Sequence, residues 1–238
     1  MATIYQQVTK YDPGKVISSG TILETARMKK FLSKKINVKA SSITGFVIGE
    51  HGSRCIIPFL KMRIGLGSLK DFLANGLVTK EWLDKLGQKV KDEAFEIISG
   101  KGITNFGIGE NLAEITLAIN NDRQSVYSLG VQLPKEYQNH GIYFGLPVVL
   151  GKNGYRHLPK IRLEEEEQKM FDALRMISDK DELGATFDNE LRGNVYANVQ
   201  RRMLDINENF YNSYENLKNS NLYARGRFKA GAIIASGD

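Results

Sequence analysis

The chain has 238 residues, of which 42% are apolar and 25% charged, so it can bury a core and is not a natively disordered chain. Its single cysteine, Cys55, excludes an internal disulfide framework, and no apolar run approaches the ~20 residues that cross a bilayer. The net charge of +6 favours anionic partners such as small carboxylates, phosphates or nucleic acid. The first residues carry no basic segment followed by an apolar one, so we predict a cytoplasmic protein without a signal peptide or a membrane partner.

Helices and short strands are predicted to alternate in the first half of the chain. Apolar spacing predicts a short helix within residues 1–12, a strand over 15–21 and a longer helix over 22–37. The apolar run at 46–48 predicts a strand, and residues 55–64 predict another strand, interrupted by a proline.

Two long helices follow, and then the pattern changes to strands. Thr79 is a candidate cap for the first helix, which a Gly-Lys-Gly stop ends at residues 100–102, and a second helix is predicted over 103–120. Strands are then predicted over 125–133 and 142–150.

An Asn-Gly hairpin tip at residues 153–154 leads into a return strand over 156–163. A last helix over 164–177 begins with glutamates that suit its positive N-terminal end. The segment 179–238 is rich in Asn, Arg and Tyr and has partly helical spacing. It contains no RRM, zinc or helix-turn-helix signature, so nucleic-acid binding is not predicted.

Three side chains could form a general acid/base site. Glu24 and Arg27 are three residues apart and therefore share one face of the predicted helix, and the strand at 46–48 delivers His51 onto a glycine-flanked turn. Taken alone, His51 is more simply a structural histidine and Arg27 a surface helix charge. Arg54 adds a positive charge that we expect to lower the pKa of a nearby imidazolium, and Cys55 is predicted to be a small core residue and not a nucleophile.

Four segments in the same order resemble motifs of one family. Residues 16–27 (V-I-S-S-G-T-I-L-E-T-A-R), 48–52 (I-G-E-H-G), 101–104 (K-G-I-T) and 145–154 (G-L-P-V-V-L-G-K-N-G) are similar to patterns of the lactate/malate dehydrogenases. The nearest type is the L-lactate or L-2-hydroxyisocaproate dehydrogenase. The resemblance covers about residues 1–178 and implies an α/β fold, α+β in what remains.

The resemblance implies roles for four residues. His51 would exchange a proton with the substrate oxygen, and Glu24, where the family has Asp, would orient and charge-stabilise the histidine. Arg27 would bind the substrate carboxylate in a two-pronged pair, and Thr104 would line the pocket. The implied cofactor is NAD and the implied substrates are small 2-hydroxy and 2-keto acids, with no metal.

The family's nucleotide-binding strand–GxGxxG–helix is missing at its usual place. The glycine pairs at residues 65 and 67 and at 107 and 109 lack the third glycine and are taken as chance matches. We therefore predict a remnant of the dinucleotide-binding domain at 1–20, a substrate domain at 21–178 and a tail at 179–238. The tail is expected to cover an exposed sheet edge or to bind a partner.

Two functions remain open at this level. The first is an NAD-dependent 2-hydroxy acid dehydrogenase that works with a complementary chain supplying the cofactor half. The second is a catalytically inactive fragment that acts as an oligomerisation or docking partner. A homo-oligomer or a complementary chain is the expected assembly.

Overall fold

The computed structural model describes residues 2–52, 54–137, 141–184 and 233–235. The chain divides into two compact units, one formed by residues 1–179 with 231–238 and the other by 180–230. Only the last turns of a helix, residues 180–184, are described in the second unit, so the predicted tail at 179–238 lies mostly outside the described residues.

Six α-helices occur in the described residues, and their boundaries follow local capping signals. At the start of the fourth helix, the Thr79 hydroxyl accepts a hydrogen bond from the Trp82 N–H at 3.2 Å, and the helix ends at Gly102 with φ 82°. The cap and the stop predicted there are both confirmed. The helices are α1 (Ala2–Thr9), α2 (Ile22–Ile36), α3 (Leu69–Ala74), α4 (Lys80–Lys101), α5 (Asn105–Asn120) and α6 (Glu165–Gly184).

The strands of the described residues form two sheets. They are β1 (Val16–Ser18), β2 (Ile43–Thr44), β3 (Ile48–Gly49), β4 (Cys55–Ile56), β5 (Arg63–Ile64), β6 (Gly67–Ser68), β7 (Ser125–Gln132), β8 (Tyr143–Gly151), β9 (Gly154–His157) and β10 (Ile233–Ala235). The larger sheet has the order β10-β1-β7-β8-β3-β4, with β9 also paired to β8. The smaller sheet has the order β2-β5-β6.

The β7–β8 hairpin is the centre of the larger sheet and confirms two predicted strands. Residues 125–132 pair antiparallel with 143–150, and β8 also pairs with β3 through Gly49 and Gly145. A Cβ atom on Gly145 would lie 2.5 Å from the Gly49 carbonyl oxygen, so only glycine allows the two strands to approach this closely.

Two apolar clusters fill the described molecule. One lies on the larger sheet and packs β7 and β8 against α5 and α6, with Phe144 and Phe171 fully buried. The other joins α2 and α4 to the smaller sheet through residues such as Met28, Leu32 and Val90. Among the described residues, no helix is both long and apolar enough to span a membrane.

Several predicted elements differ from the structure. The strand predicted over 55–64 is divided into β4, a 3₁₀ turn after Pro58, and β5, because proline lacks the N–H needed for a continuous ladder. The hairpin tip lies at residues 152–153, one residue before the predicted position, and Gly154 already begins β9. The short helix α3 was not predicted, although Ser68 and Asp71 form its capping box.

Candidate active site

His51 lies on the turn between β3 and β4, directly opposite the first turn of α2. The Glu50 N–H donates to the Arg54 carbonyl at 3.1 Å, which closes this turn. His51 Nδ1 is 2.7 Å from Glu24 Oε1, a charge-assisted hydrogen-bond distance. The structure therefore brings together the carboxylate and the imidazole that the sequence places 27 residues apart.

Glu24 and His51 differ in burial, because the carboxylate is buried and the imidazole ring is partly exposed to solvent. The Glu24 side chain is 1% exposed, whereas the His51 side chain is 42% exposed. The Gly52 N–H also donates to Glu24 Oε1, at 3.1 Å, so the turn that carries the histidine binds the same carboxylate oxygen. This arrangement holds one edge of the imidazole and leaves part of the ring open to solvent.

The pKa of His51 is raised above its ordinary value. The main cause is the hydrogen bond to Glu24, which outweighs the opposing effect of burial, and the Glu24 charge acts in the same direction. The positive charge that opposes this rise comes from Arg27. The pKa-lowering effect expected from Arg54 stays a prediction, and Arg54 Nη1 lies 3.3 Å from the carboxylate of Glu50.

Arg27 is buried against an acidic residue of α4. Its side chain is 10% exposed, and its Nε lies 3.5 Å from Oε2 of Glu93, which is equally buried. The Lys30 ammonium group donates a short hydrogen bond to the other oxygen of Glu93. The guanidinium predicted to bind a substrate carboxylate thus already has an internal carboxylate at its side.

Sequence reasoning missed Glu93, although a signal was present. The buried residues Leu83, Leu86 and Val90 of α4 recur at helical spacing, and Glu93 is the next position on that stripe. A charged residue on an otherwise apolar stripe is seldom buried without a partner, so it indicates an ion pair with a neighbouring helix.

Thr104 lies half-buried immediately before α5, and its side chain makes no capping hydrogen bond. The start of α5 packs on α2, where a Cβ atom on Gly107 would lie 3.1 Å from Leu23 Cδ2. Thr104 is therefore near the end of α5 that faces α2, and its role in lining a pocket stays a prediction.

Hydroxyl groups hold the segment that leads into the histidine turn. The Thr21 hydroxyl donates to the Val47 carbonyl at 2.6 Å, and the Val47 N–H donates to Thr25 Oγ1 at 2.9 Å. The buried Ser128 hydroxyl of β7 donates to the same Val47 carbonyl. The spacing of Thr21 and Thr25, one helical turn apart around Glu24, was the available signal for this positioning role.

Residues 21–183 match the sequence model of the lactate/malate dehydrogenase alpha/beta C-terminal domain. The chain belongs to the lactate/malate dehydrogenase family. This confirms the family and the fold class predicted from the four motifs.

Curated relatives in the family include two mycoplasma enzymes. The chain is 43% identical over 172 residues to the L-lactate dehydrogenase of Mycoplasmoides gallisepticum, a match that covers 72% of this chain and 53% of the relative. It is 40% identical to the L-lactate dehydrogenase of Mycoplasmopsis pulmonis, with 72% and 55% covered. The chain thus spans about half the length of the curated relatives it matches.

Solved structures of the family have the same fold. A lactate dehydrogenase from a Medee basin deep-sea metagenome library has a TM-score of 0.72 at 31% identity, covering 75% of this chain and 58% of that one. The Cryptosporidium parvum malate dehydrogenase has a TM-score of 0.71 at 23% identity, with 81% and 60% covered, and this likeness concerns the fold alone.

The glycine-rich segments of the described chain do not fit a dinucleotide. A pyrophosphate needs an open glycine turn between a strand and a helix N-terminus. Gly67 begins β6 beyond Leu66, a fully exposed turn residue, and Gly109 lies inside α5. The turn between β1 and α2 is filled by β7, because a Cβ atom on Gly20 would lie 2.2 Å from the Gly130 nitrogen.

Cys55 and the acidic residues offer no additional chemistry at the site. Burial raises the pKa of the Cys55 thiol to about 11, which supports its prediction as a core residue. Within the part of the chain that the structure describes, no group of three His, Cys, Asp or Glu side chains is arranged to hold a metal ion.

Proposed function

We propose that this chain is the substrate-side part of a cytoplasmic L-2-hydroxy acid dehydrogenase. It binds lactate-like 2-hydroxy acids and the corresponding 2-keto acids, and it exchanges a proton with their C2 oxygen. The observation that carries the proposal is the contact of 2.7 Å between the half-exposed His51 ring and the buried Glu24 carboxylate.

His51 is the proton-transfer group in this proposal. The Glu24 carboxylate holds Nδ1, so the opposite ring nitrogen, Nε2, is the one that meets the substrate oxygen. The raised pKa keeps the ring protonated to a higher pH, which suits a group that must donate a proton to a keto oxygen near neutral pH. In the reverse direction, the neutral ring accepts the hydroxyl proton.

Arg27 is the anchor for the substrate carboxylate. A guanidinium can bind a carboxylate through two parallel N–H donors, which fixes orientation as well as charge. Glu93 at the Nε side of Arg27 neutralises part of that charge, and Lys30 restores some of it. Thr104 borders the same region in the proposal.

NAD is the cofactor implied by the family, and it would supply the hydride when bound. The described glycine segments do not fit the dinucleotide, and in this proposal a complementary chain supplies the cofactor half. The proposal for this chain is therefore limited to substrate anchoring and proton transfer.

Substrate binding can be tested without the cofactor. We expect oxamate, an unreactive analogue of pyruvate, to shift the His51 Cε1–H resonance in a saturable way at about millimolar concentration. An Arg27→Lys variant keeps the positive charge but loses the two parallel N–H donors of the guanidinium, and we expect it to bind oxamate at least about tenfold more weakly. The His51→Gln spectrum assigns the resonance.

The reaction is tested separately by following NADH absorbance with pyruvate, 2-ketoisocaproate and oxaloacetate. The pure chain is expected to give no turnover, and turnover should appear with a protein fraction that supplies the cofactor half and should be lost in His51→Gln. The absence of any oxamate-induced shift at about 50 mM, with and without NADH, would contradict the proposal.

The second candidate is a catalytically inactive fragment that docks on, or oligomerises with, a complete dehydrogenase. Two observations favour it: the Gly20 turn is filled by β7, and Glu93 lies beside the anchor arginine. Oxamate binding without turnover in any mixture, combined with co-elution with a complete dehydrogenase, would support this candidate over the first.

A further inference from the structure

We propose that β10 is a built-in edge strand, which closes the side of β1 where a strand of another chain would otherwise pair. The residues of β10 pair in parallel with β1, Ile233 with Val16, Ile234 with Ile17 and Ala235 with Ser18. β10 belongs to the same compact unit as β1 and is the first strand of the larger sheet. This inference does not depend on the proposed function.

β1 needs a partner because it is buried and weakly paired on its other side. Val16 and Ile17 are each 1% exposed, while the pairing of β1 with β7 consists of the single register position Ser18–Gly130. A strand of this kind with an open side presents unpaired N–H and C=O groups to any other extended chain. β10 pairs with all three residues of β1 on that side.

The chain has the length and the composition for this pairing. A parallel pair needs a crossover of about a dozen residues or more, and residues 19–232 connect β1 to β10. The sequence at 230–236 contains no charge and has two adjacent isoleucines, which favour an extended conformation. With only three residues, β10 leaves a short outer edge, and short edge strands resist further pairing.

The consequence concerns partners. While β10 is in place, neither a second copy nor a chain supplying the cofactor half can add a strand at β1, so such a partner must displace β10 or bind elsewhere. The β1 edge fits a short, uncharged parallel strand, and residues 233–235 of the same chain are its occupant.

The test compares amide hydrogen exchange at Ile17 and Ser18 in three full-length proteins. The double variant Ile233→Pro/Ile234→Pro removes both backbone donors of the tail strand, whereas Ile233→Val/Ile234→Val keeps them and is the matched control. We expect the exchange rate of at least one of the two β1 amides to rise about tenfold or more in the proline variant and to stay unchanged in the valine control.

Two further measurements make the result decisive. Unchanged exchange at the β7–β8 amides shows that the proline variant is folded, and a peptide of residues 229–238 added in trans should restore protection at β1. Equal protection of Ile17 and Ser18 in the wild type and the proline variant would overturn the proposal. Protection that increases with protein concentration would also overturn it, because the strand would then come from a second copy.

Discussion

Shortening Glu24 by one methylene should uncouple it from His51, although the family ordinarily has Asp at this position. The Glu24→Asp variant withdraws the carboxylate by about 1.5 Å, so a contact of 2.7 Å becomes a gap of about 4 Å, beyond hydrogen-bond reach. The Gly52 N–H, now 3.1 Å from the same oxygen, loses its acceptor as well.

The two lost interactions set the expected magnitude. The Gly52 hydrogen bond is worth about 1 kcal/mol, and the bond to His51 about 1 kcal/mol after a discount for the exposure of the ring. The free energy of unfolding should therefore fall by about 2 kcal/mol, or about 4–8 °C in Tm for a chain of this size. The pKa of His51 should fall as well, since the hydrogen bond to Glu24 is the main cause of its rise.

Urea unfolding and an NMR titration of His51 measure the two effects in the same samples. The Glu24→Gln variant is the matched control, because it keeps the length of the side chain and removes only the charge. It should lose the elevation of the His51 pKa while retaining a hydrogen-bond acceptor for Gly52. If Glu24→Asp leaves both the stability and the His51 pKa unchanged, the reach of this side chain is not what holds the ring.

Four more predictions concern His51, His157, Glu93 and Cys55. Because the pKa of His51 is raised in the folded state, the protonated ring stabilises the fold below about pH 6.5, and this effect is lost as pH rises through the folded-state pKa. The loss of unfolding free energy caused by His51→Gln, measured by urea unfolding, should therefore shrink from pH 5.5 to 8.5. Burial lowers the pKa of His157, so this residue contributes to the stability of the fold above about pH 6.5, and the contribution is lost as pH falls. The cost of His157→Gln in free energy of unfolding should therefore grow from pH 5.5 to 8.5, opposite to that of His51→Gln. If the two costs change with pH in the same direction, the pKa directions given for the two histidines are wrong. Glu93→Gln should tighten oxamate binding about tenfold in the NMR titration, because it removes a negative charge beside Arg27. Unchanged or weaker binding would count against Arg27 as the anchor of the substrate carboxylate. Cys55, 2% exposed and with a pKa of about 11, should react with a thiol reagent at least about a hundredfold more slowly in the native protein than in urea, and fast native labelling would contradict its burial.

The sequence predicted those features that depend on local pattern or on a recognisable motif. The strand at 125–133 and the cap at Thr79 are predictable from residues that are neighbours in the sequence. The motif around Glu24 predicted this residue as the partner of His51. The buried stripe of α4 marks Glu93 as a residue that needs a partner, but the partner, Arg27, lies on a helix far away in the chain, so local spacing does not identify it.

Other features were not predicted from the sequence because they depend on tertiary contacts. The interruption of residues 55–64 was visible as a proline, but the division into strands of two different sheets depends on tertiary pairing, of β4 with β3 and of β5 with β2 and β6. The parallel pairing of β10 with β1 is the extreme case, because more than two hundred residues separate the partners and apolar composition alone does not choose an edge.

The hydroxyls around Val47 have a consequence for how the histidine turn can vary. Because the carbonyl of Val47 is bound by Thr21, just before α2, and its amide by Thr25 within α2, the segment leading into β3 cannot slip by a single position without breaking both bonds at once. Such a slip would carry the imidazole away from its carboxylate. Thr21 and Thr25 thus fix the register of the segment before the histidine turn, so substituting either is expected to disturb the contact of His51 with Glu24 while leaving both of those residues in place.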